Sequence, residues 1–342
     1  INLKINRGEV IGIVGESGTG KTTLLNIIAG FLEPQQGEVL INGKNVGTVA
    51  SADLSFGYIP QDTLSFNDTV FNNIVMGDDD KPESRLRATE ALAIAQLADV
   101  VNSLPRGQDT RIGDFGSLFS GGQRQRLAIA RALAQDARVL LLDEPFVNLD
   151  YKLREELREE LPRLFADTGA MVVYATTEPH EALLMGGYTA TMREGRVTQY
   201  GPTHEVFRKP HDLATAKAFS DPPLNTLSLK RTTNGFEGEQ GLSLQLPPFQ
   251  NVPVGEYTLG FRPHHLQIQS NGKDILKLSG EVTVTEITGS ESFIHLRWAE
   301  HDWVAHTQGV MHFPPGENLD LFVSASNCLL FDDQEQLVLD QV

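Results

Sequence analysis

Apolar residues in the first two thirds of the chain occur either as continuous runs or as stripes at helical spacing, and the two patterns alternate. A stripe that begins after Lys21 predicts a helix, because its apolar residues recur every three or four positions. Alternation of buried strands with helices is typical of an α/β domain with a parallel sheet. The runs that predict buried strands are "VIGIV" at 10–14, "RVLLLD" at 138–143 and "AMVVYAT" at 170–176.

Three further stretches have helical character. Between the first two strand runs, "DTVFNNIVMG" and "SRLRATEALAIAQLADVV" indicate helices, and we expect a helical subdomain over about 66–135. Residues 151–169, "YKLREELREELPRLFADTG", predict a charged helix. Pro162 is expected to kink or divide that helix, because proline removes a backbone donor and its ring clashes with the preceding turn.

The pattern changes near "SDPPLN" at 220–225, where helical spacing gives way to short alternating runs. Runs such as "EVTVTEI" at 281–287 and "SFIHLRW" at 292–298 are separated by Gly, Pro and Asn, which favours a small β-barrel. A chain of 342 residues is long enough for two cores. We therefore expect an α/β domain over 1–222 and a β-rich domain over 223–342.

Composition narrows the possible partners. The formal net charge is −17, and an acidic surface of this kind repels phosphate backbones, which disfavours nucleic acid as a partner. No apolar run approaches the ~20 residues that a membrane-spanning helix needs. The single cysteine, Cys328, rules out an internal disulfide and is typical of a reducing cytosol.

The segment after the first strand run matches the pattern G-x-x-x-x-G-K-[ST] over 15–22. In such a loop, glycines let backbone N–H groups surround a phosphate, and the following helix adds the partial positive charge of its N-terminus. Lys21 would pair with the β- and γ-phosphates, and the Thr22 hydroxyl would ligate Mg²⁺. The spacing differs from the G-x-G-x-x-G of a dinucleotide fold. The predicted ATP-binding residues here are Gly15, Glu16, Ser17, Gly18, Thr19, Gly20, Lys21, Thr22 and Thr23.

The second strand run ends in two carboxylates, Asp143 and Glu144. A carboxylate at the end of a strand beside a phosphate loop can hold Mg²⁺. Glu144, the next residue, could orient and deprotonate an attacking water. An acidic pair that merely caps a helix is the alternative, and the phosphate loop makes it less attractive.

At "FSGGQRQRLAIARALAQ", residues 119–135, the chain resembles the ATP-binding-cassette (ABC) ATPases, whose signature is usually L-S-G-G-Q. A serine and two glycines at a helix start can seat an anion. The resemblance implies that this seat closes on the γ-phosphate held by the opposite subunit, so that two chains build two composite sites. The implied residues acting in trans are Ser120, Gly121, Gly122 and Gln123.

Two loops add to the resemblance. In "YIPQD", Gln61 matches the Q-loop, which implies contact with the metal or the attacking water and with the permease. In "VNLD", Asp150 matches the D-loop, although Val147 stands where serine is frequent. The implied Mg²⁺ site consists of Thr22, Gln61 and Asp143.

The segment "LGFRPHHLQI", residues 259–268, resembles the C-terminal domain of importer ATPases of the maltose type. The resemblance implies an OB-like (TOBE-type) domain and an importer for a sugar, polyol, glycerol or related solute. It also implies a second ATPase subunit, two transmembrane permease subunits, an indirect link to a solute-binding protein, and a place at the cytoplasmic face of the membrane.

In the family an aromatic residue stacks on adenine. We expect its counterpart, with a strand, to precede Ile1.

One position departs from the family pattern. The strand that usually ends in T-H-D or T-H-E reads Thr176-Thr177-Glu178 here, so that Thr177 replaces a histidine. Threonine donates one hydrogen bond but carries no positive charge, so we expect weaker transition-state stabilisation at this chain's own site. This favours half of a heterodimer. The alternatives are a homodimer, a regulatory subunit without turnover, and a soluble cassette protein of translation or repair.

Overall fold

The computed structural model has two compact units, which we call the ATPase unit, Ile1–His204, and the β-unit, from Glu205 onward. Each is described by itself. The described residues are 1–41, 43–45, 56–77, 79–135, 137–147, 149, 151–269 and 274–338.

The ATPase unit contains a central sheet and a small hairpin. Its strands are β1 (Val10–Val14), β2 (Leu40–Ile41), β3 (Lys44–Asn45), β4 (Phe56–Ile59), β5 (Val139–Asp143), β6 (Met171–Thr176), β7 (Tyr188–Arg193) and β8 (Arg196–Pro202). Strands β2 and β3 form the hairpin. The sheet has the order β4-β5-β6-β1-β7-β8, and only β8 is antiparallel to its neighbour. The three predicted strands are confirmed, together with the α/β class.

Helices cover the sheet and form the region between β4 and β5. They are α1 (Lys21–Ile28), α2 (Val70–Val75), α3 (Pro82–Ile94), α4 (Ala98–Asn102), α5 (Gly121–Ala134), α6 (Tyr151–Thr168) and α7 (Pro179–Met185). Both α2 and α3 pack against α5. Buried alanines on α5, such as Ala128 and Ala130, allow that close approach. The helices α2–α5 thus occupy the predicted 66–135 segment.

The core beneath α1 explains why the strand runs are apolar. Leu24 and Leu25 of α1 pack on Val139, Val173 and neighbouring strand residues, and all of them are buried. Burying one such side chain contributes about 1.5–3 kcal/mol to folding. Strand β5 is buried at every position, as expected of a central parallel strand.

The register brings three strand ends together. Val14 at the end of β1 pairs with Thr176 of β6, and Asp143 at the end of β5 pairs with Ala175. Carboxyl ends of parallel strands lie at one edge of the sheet, which is where ligands bind in open α/β sheets. The phosphate-loop segment, the acidic pair and Thr177 therefore start from the same edge.

The expectation that Pro162 divides its helix is wrong. Helix α6 runs without interruption from Tyr151 to Thr168 with Pro162 inside it. The proline removes one N–H donor from the helix. Burial of Leu157, Leu161 and Phe165 along one face holds the helix together across that position.

The β-unit contains two short helices and two antiparallel sheets. Helix α8 (Thr203–Arg208) crosses the division between the units, and α9 (Leu213–Ala218) follows it. The strands are β9 (Asn225–Thr232), β10 (Gly235–Glu237), β11 (Ser243–Leu244), β12 (Gly255–Phe261), β13 (Ile275–Ile287), β14 (Glu291–Trp298), β15 (His301–Gln308), β16 (Asn318–Ser324) and β17 (Cys328–Phe331). They form sheets of order β11-β10-β9-β12-β17 and β15-β14-β13-β16.

One core joins the two sheets of the β-unit. It includes Phe261, Ile294 and the fully buried Trp303, whose indole N–H donates to the Thr226 carbonyl at 3.0 Å. Cys328 lies in the same core, and burial raises the pKa of its thiol to about 12. The β-rich class predicted for this part is confirmed. The boundary after residue 222 stays a prediction, and α9 already belongs to the β-unit.

In the described ranges, no helix combines the length and apolarity that a membrane crossing requires.

Candidate functional site

The phosphate-loop segment leaves β1 and turns directly into α1. Its first residue, Gly15, donates its N–H to the Thr176 carbonyl at 3.3 Å. A Cβ on Gly15 would lie 2.5 Å from the Met192 carbonyl oxygen, so that only glycine fits there. Gly20 caps α1 with a φ of 97° and without a side-chain hydrogen bond. The N–H groups of the first helical turn are therefore not covered by a capping side chain.

Lys21 bends back across the loop. Its ammonium donates to the Gly15 carbonyl at 2.8 Å and to the Glu16 carbonyl at 3.1 Å. The same Nζ lies 3.3 Å from Glu144 Oε1, and the lysine side chain is only 6% exposed. A single buried cation thus connects the loop with the second residue of the acidic pair.

Asp143 is buried beside Thr22. Burial raises the pKa of Asp143 above its usual range, and the nearby Thr22 hydroxyl opposes that rise. One carboxylate oxygen, Oδ1, is buried without a hydrogen-bond partner. Hard cations such as Mg²⁺ take oxygen ligands, and a hydroxyl beside a carboxylate with an unused oxygen fits this preference. Thr22 and Asp143 are thus suited to holding Mg²⁺.

The backbone N–H of Glu144 and both oxygens of its carboxylate have partners. Its own N–H donates to the Ala175 carbonyl at 3.0 Å, and its φ of 47° is left-handed. Its Oε2 accepts the Thr177 N–H at 3.1 Å and the Thr177 hydroxyl at 3.3 Å. Lys21 approaches the other oxygen. The carboxylate therefore lies between Lys21 and Thr177, the residue that replaces a histidine.

The remaining predicted residues lie on other elements. Gln61 is exposed and follows β4, the neighbour of β5 in the sheet. Ser120 is the N-cap of α5, and it forms a capping box with Gln123 in which each side chain accepts the other's backbone N–H. The structure therefore confirms that a helix starts at the signature, while its role in trans stays a prediction. Asp150 lies outside the described residues.

Two buried groups near Glu144 escaped the sequence analysis. Gln125, on α5, donates to the carbonyl of Pro145, the residue after Glu144. Arg158, on α6, contacts Glu178 and Glu181 just beyond Thr177. Neither has a signal in the sequence, because an arginine in the charged run "LREELREE" and a glutamine in a polar helical turn are both usually solvated.

The fold and this edge define the class of protein, a P-loop ATPase. A family model described as "ABC transporter" matches residues 1–147, and one described as "TOBE domain" matches 259–331. The chain therefore belongs to the ATP-binding subunits of ABC transporters and is an ABC-type ATPase of solute import, with a C-terminal TOBE domain. The resemblance inferred from the motifs is confirmed.

Relatives from distant organisms cover most of the chain. The sn-glycerol-3-phosphate import ATP-binding protein UgpC of Bordetella pertussis is 32% identical over 310 residues, which cover 88% of this chain and 81% of the relative. The trehalose/maltose import ATP-binding protein MalK of Thermococcus litoralis is 30% identical, with 97% and 92% covered. A solved bacterial Atm1-family ABC exporter with ATP bound is 29% identical, with a TM-score of 0.54 over 60% of this chain and 36% of that one.

Proposed function

We propose that this chain binds and hydrolyses ATP to drive import of a sugar, a polyol, glycerol or a related solute such as glycerol 3-phosphate. The observation that carries the proposal is the shared edge where Lys21, Asp143 and Glu144 meet. Likeness to import ATPases along both units supports the solute class. The working assembly would contain a second ATPase subunit and two permease subunits at the cytoplasmic face of the membrane, with a solute-binding protein acting through the permease.

Each residue at the edge has a proposed role. The loop N–H groups and Lys21 bind the phosphates, while Thr22, Asp143 and Gln61 hold Mg²⁺, which neutralises phosphate charge when bound. Glu144 is the general base for the attacking water. The residues proposed to act on the nucleotide of the partner subunit are Ser120, Gly121, Gly122, Gln123 and Asp150.

The contacts of Lys21 suggest how ATP prepares the base. Its ammonium donates to two loop carbonyls and lies near Glu144. Phosphate oxygens are charged and are stronger acceptors than carbonyls. Lys21 therefore turns to the phosphates when ATP binds, and this frees Glu144 Oε1 to accept a proton from water. Thr177 keeps its two hydrogen bonds to the other oxygen and so keeps the carboxylate oriented.

We further propose that the second ATPase subunit is not identical to this one. Thr177 cannot carry the positive charge of a protonated histidine, so this chain's own site is weaker at the transition state. A related partner with its own histidine would provide the stronger site. A homodimer in which Thr177 suffices is the other candidate, favoured by the two hydrogen bonds that Thr177 already makes to Glu144.

The deciding experiment measures ATP hydrolysis by the assembled transporter. Glu144→Gln in this chain is compared with the matching change in the partner ATPase. Loss of turnover with both changes supports a hydrolytic site here. If only the change in the partner abolishes turnover, this site is a regulatory ATP clamp and hydrolysis at Glu144 is disproved. Purification of a complete transporter with this ATPase alone would rule out the heterodimer.

A further inference from the structure

An ion cluster with two buried members, Arg158 and Glu181, lies behind the turn that carries Thr177. We call it the Arg158 cluster, and it consists of Arg158 with Glu155, Glu178 and Glu181. The guanidinium of Arg158 lies 2.7 Å from Glu155 and 2.8 Å from Glu181, and it also contacts Glu178. Arg158 is 8% exposed and Glu181 is 3% exposed. Charges so deeply buried need paired partners, so this arrangement has a defined geometry that a solvated pair lacks.

The cluster reaches the chain on both sides of Thr177. Glu181 accepts a hydrogen bond from the Thr176 hydroxyl, and Thr176 Oγ1 in turn accepts the Glu178 N–H at 2.9 Å. Arg154 adds a second cation to Glu178 at 3.1 Å. The residues before and after Thr177 are therefore fixed by α6 and α7, which the cluster joins.

Thr177 contacts Glu144 through its backbone N–H as well as through its side chain. Its backbone N–H donates to Glu144 Oε2 at 3.1 Å, and its hydroxyl donates at 3.3 Å. A backbone donor is placed only by the conformation of the turn. The orientation of the carboxylate proposed as the base therefore depends on the elements that hold 176–178 in place.

We propose that Arg158 is a positioning residue for ATP hydrolysis. It holds the 176–178 turn in place so that the Thr177 N–H orients the Glu144 carboxylate. Thr177, although it replaces a histidine, can therefore still orient the proposed base. The inference rests on the proposed hydrolysis at Glu144. Among the residues that the structure describes, the ion pairs of Arg158 go to glutamates of α6 and of the 178–181 segment and not to the phosphate-loop segment, so we expect its removal to change the chemical step and to leave ATP binding intact.

The kinetic test uses the assembled transporter with an unaltered partner ATPase, and Glu144→Gln in this chain shows how much of the turnover depends on this site. Arg158→Met is expected to lower this part of kcat about 100-fold, as misplacement of a catalytic group by an ångström does, with the Kd for ATP unchanged within about twofold. Arg158→Lys keeps the charge but cannot serve three carboxylates in a fork, so we expect a smaller loss. Thr177→Ala keeps the backbone donor and is expected to cost less than Arg158→Met. The matched control is Arg163→Met, an exposed arginine on the same helix.

Hydrogen exchange in the same complex gives a second readout that needs no turnover. Arg158→Met is expected to raise the exchange of the Thr177 amide while the amides of α1 stay protected. Unchanged exchange at 176–178 in Arg158→Met and Arg158→Lys would overturn the proposal, and so would a parallel loss of ATP affinity and kcat. If Glu144→Gln leaves turnover intact while Arg158→Met still loosens the turn, hydrolysis at Glu144 fails but the structural link to Arg158 stands.

Discussion

The side-chain amide of Gln125 donates a hydrogen bond of 2.9 Å to the carbonyl oxygen of Pro145. Gln125 is 4% exposed and belongs to α5, the helix that Ser120 caps. Pro145 follows Glu144, whose left-handed backbone is uncommon for a residue with a side chain. The helix of the signature motif is thus joined to the turn that carries the proposed base. This contact therefore connects the start of α5, which is proposed to bind the nucleotide of the partner subunit, with the turn that carries Glu144.

Replacing Gln125 with leucine is therefore expected to affect stability and activity together. The change leaves a buried carbonyl without its donor, which costs about 1–3 kcal/mol. We expect a lower midpoint for thermal unfolding of the ATPase unit, followed by calorimetry, and a lower kcat in the assembled transporter. Gln125→Glu, which has similar volume but no donor when ionised, should behave in the same way. Wild-type kcat in both variants would show that the contact has no role in placing Glu144.

Asp143→Asn is expected to raise the stability of the ATPase unit and to weaken its binding of Mg²⁺. Burial raises the pKa of Asp143, so the charged form is disfavoured in the folded chain, and Asp143→Asn is expected to raise the free energy of unfolding of the ATPase unit. The same change removes a charged ligand. We therefore expect the tightening of ATP binding by Mg²⁺ to weaken about tenfold, measured as Kd with Mg²⁺ and with EDTA. An unchanged effect of Mg²⁺ would remove Asp143 from the proposed metal site.

His265 should make the β-unit sensitive to acid. Burial, aided by neighbouring His264 and Arg262, lowers the pKa of His265 from 6.5 to about 4. Between those pH values the unfolded chain takes up a proton that the folded chain does not, so stability falls as the pH falls. His265→Gln removes this proton uptake. We expect the variant to lose less stability than the wild type between pH 7 and 4.5, measured by urea unfolding with tryptophan fluorescence. Both tryptophans, Trp298 and Trp303, lie in the β-unit. Parallel pH profiles would contradict this assignment.

Asn225 is expected to be essential for the β-unit. Its side chain is 2% exposed. The amide donates to the Val304 carbonyl at 2.9 Å and accepts the Val304 N–H at 2.8 Å, as the backbone of a neighbouring strand would. These bonds join β9 of one sheet to β15 of the other. Asn225→Ala leaves two backbone groups unpaired and should cost about 2 kcal/mol or more of unfolding free energy. Asn225→Asp, which buries an unpaired carboxylate against the Val304 carbonyl at neutral pH, should cost more than the alanine change. A loss below about 0.5 kcal/mol for the alanine variant would show that water replaces the side chain.

The sequence predicts the parts of this protein that follow from local pattern. The apolar runs at 10–14 and 138–143 become β1 and β5, and the glycine spacing after β1 becomes a loop that opens α1. The side-chain chemistry of the acidic pair is visible in the sequence as well. The contact between Glu144 and Thr177 is predictable only because parallel strands end at a common edge.

Features that depend on tertiary packing are not visible in the sequence. The letters "LREELREE" predict a solvated helix surface, yet Arg158 is buried because Glu178 and Glu181 approach it from a distant part of the chain. The positive φ of Glu144 has no sequence signal, since glycine or asparagine usually marks such a position. Pro162 does not divide α6, because the burial of Leu157, Leu161 and Phe165 outweighs one missing hydrogen bond.

The buried thiol of Cys328 also has a practical use. Thiolate is the form that reacts with maleimides and disulfide reagents, and a pKa of about 12 leaves almost none of it at neutral pH. Since this is the only cysteine among these 342 residues, we expect this chain to show little labelling before a new cysteine is introduced. A fluorophore or spin label on one engineered surface cysteine would therefore report motion of that site alone, without first removing a native residue from the core.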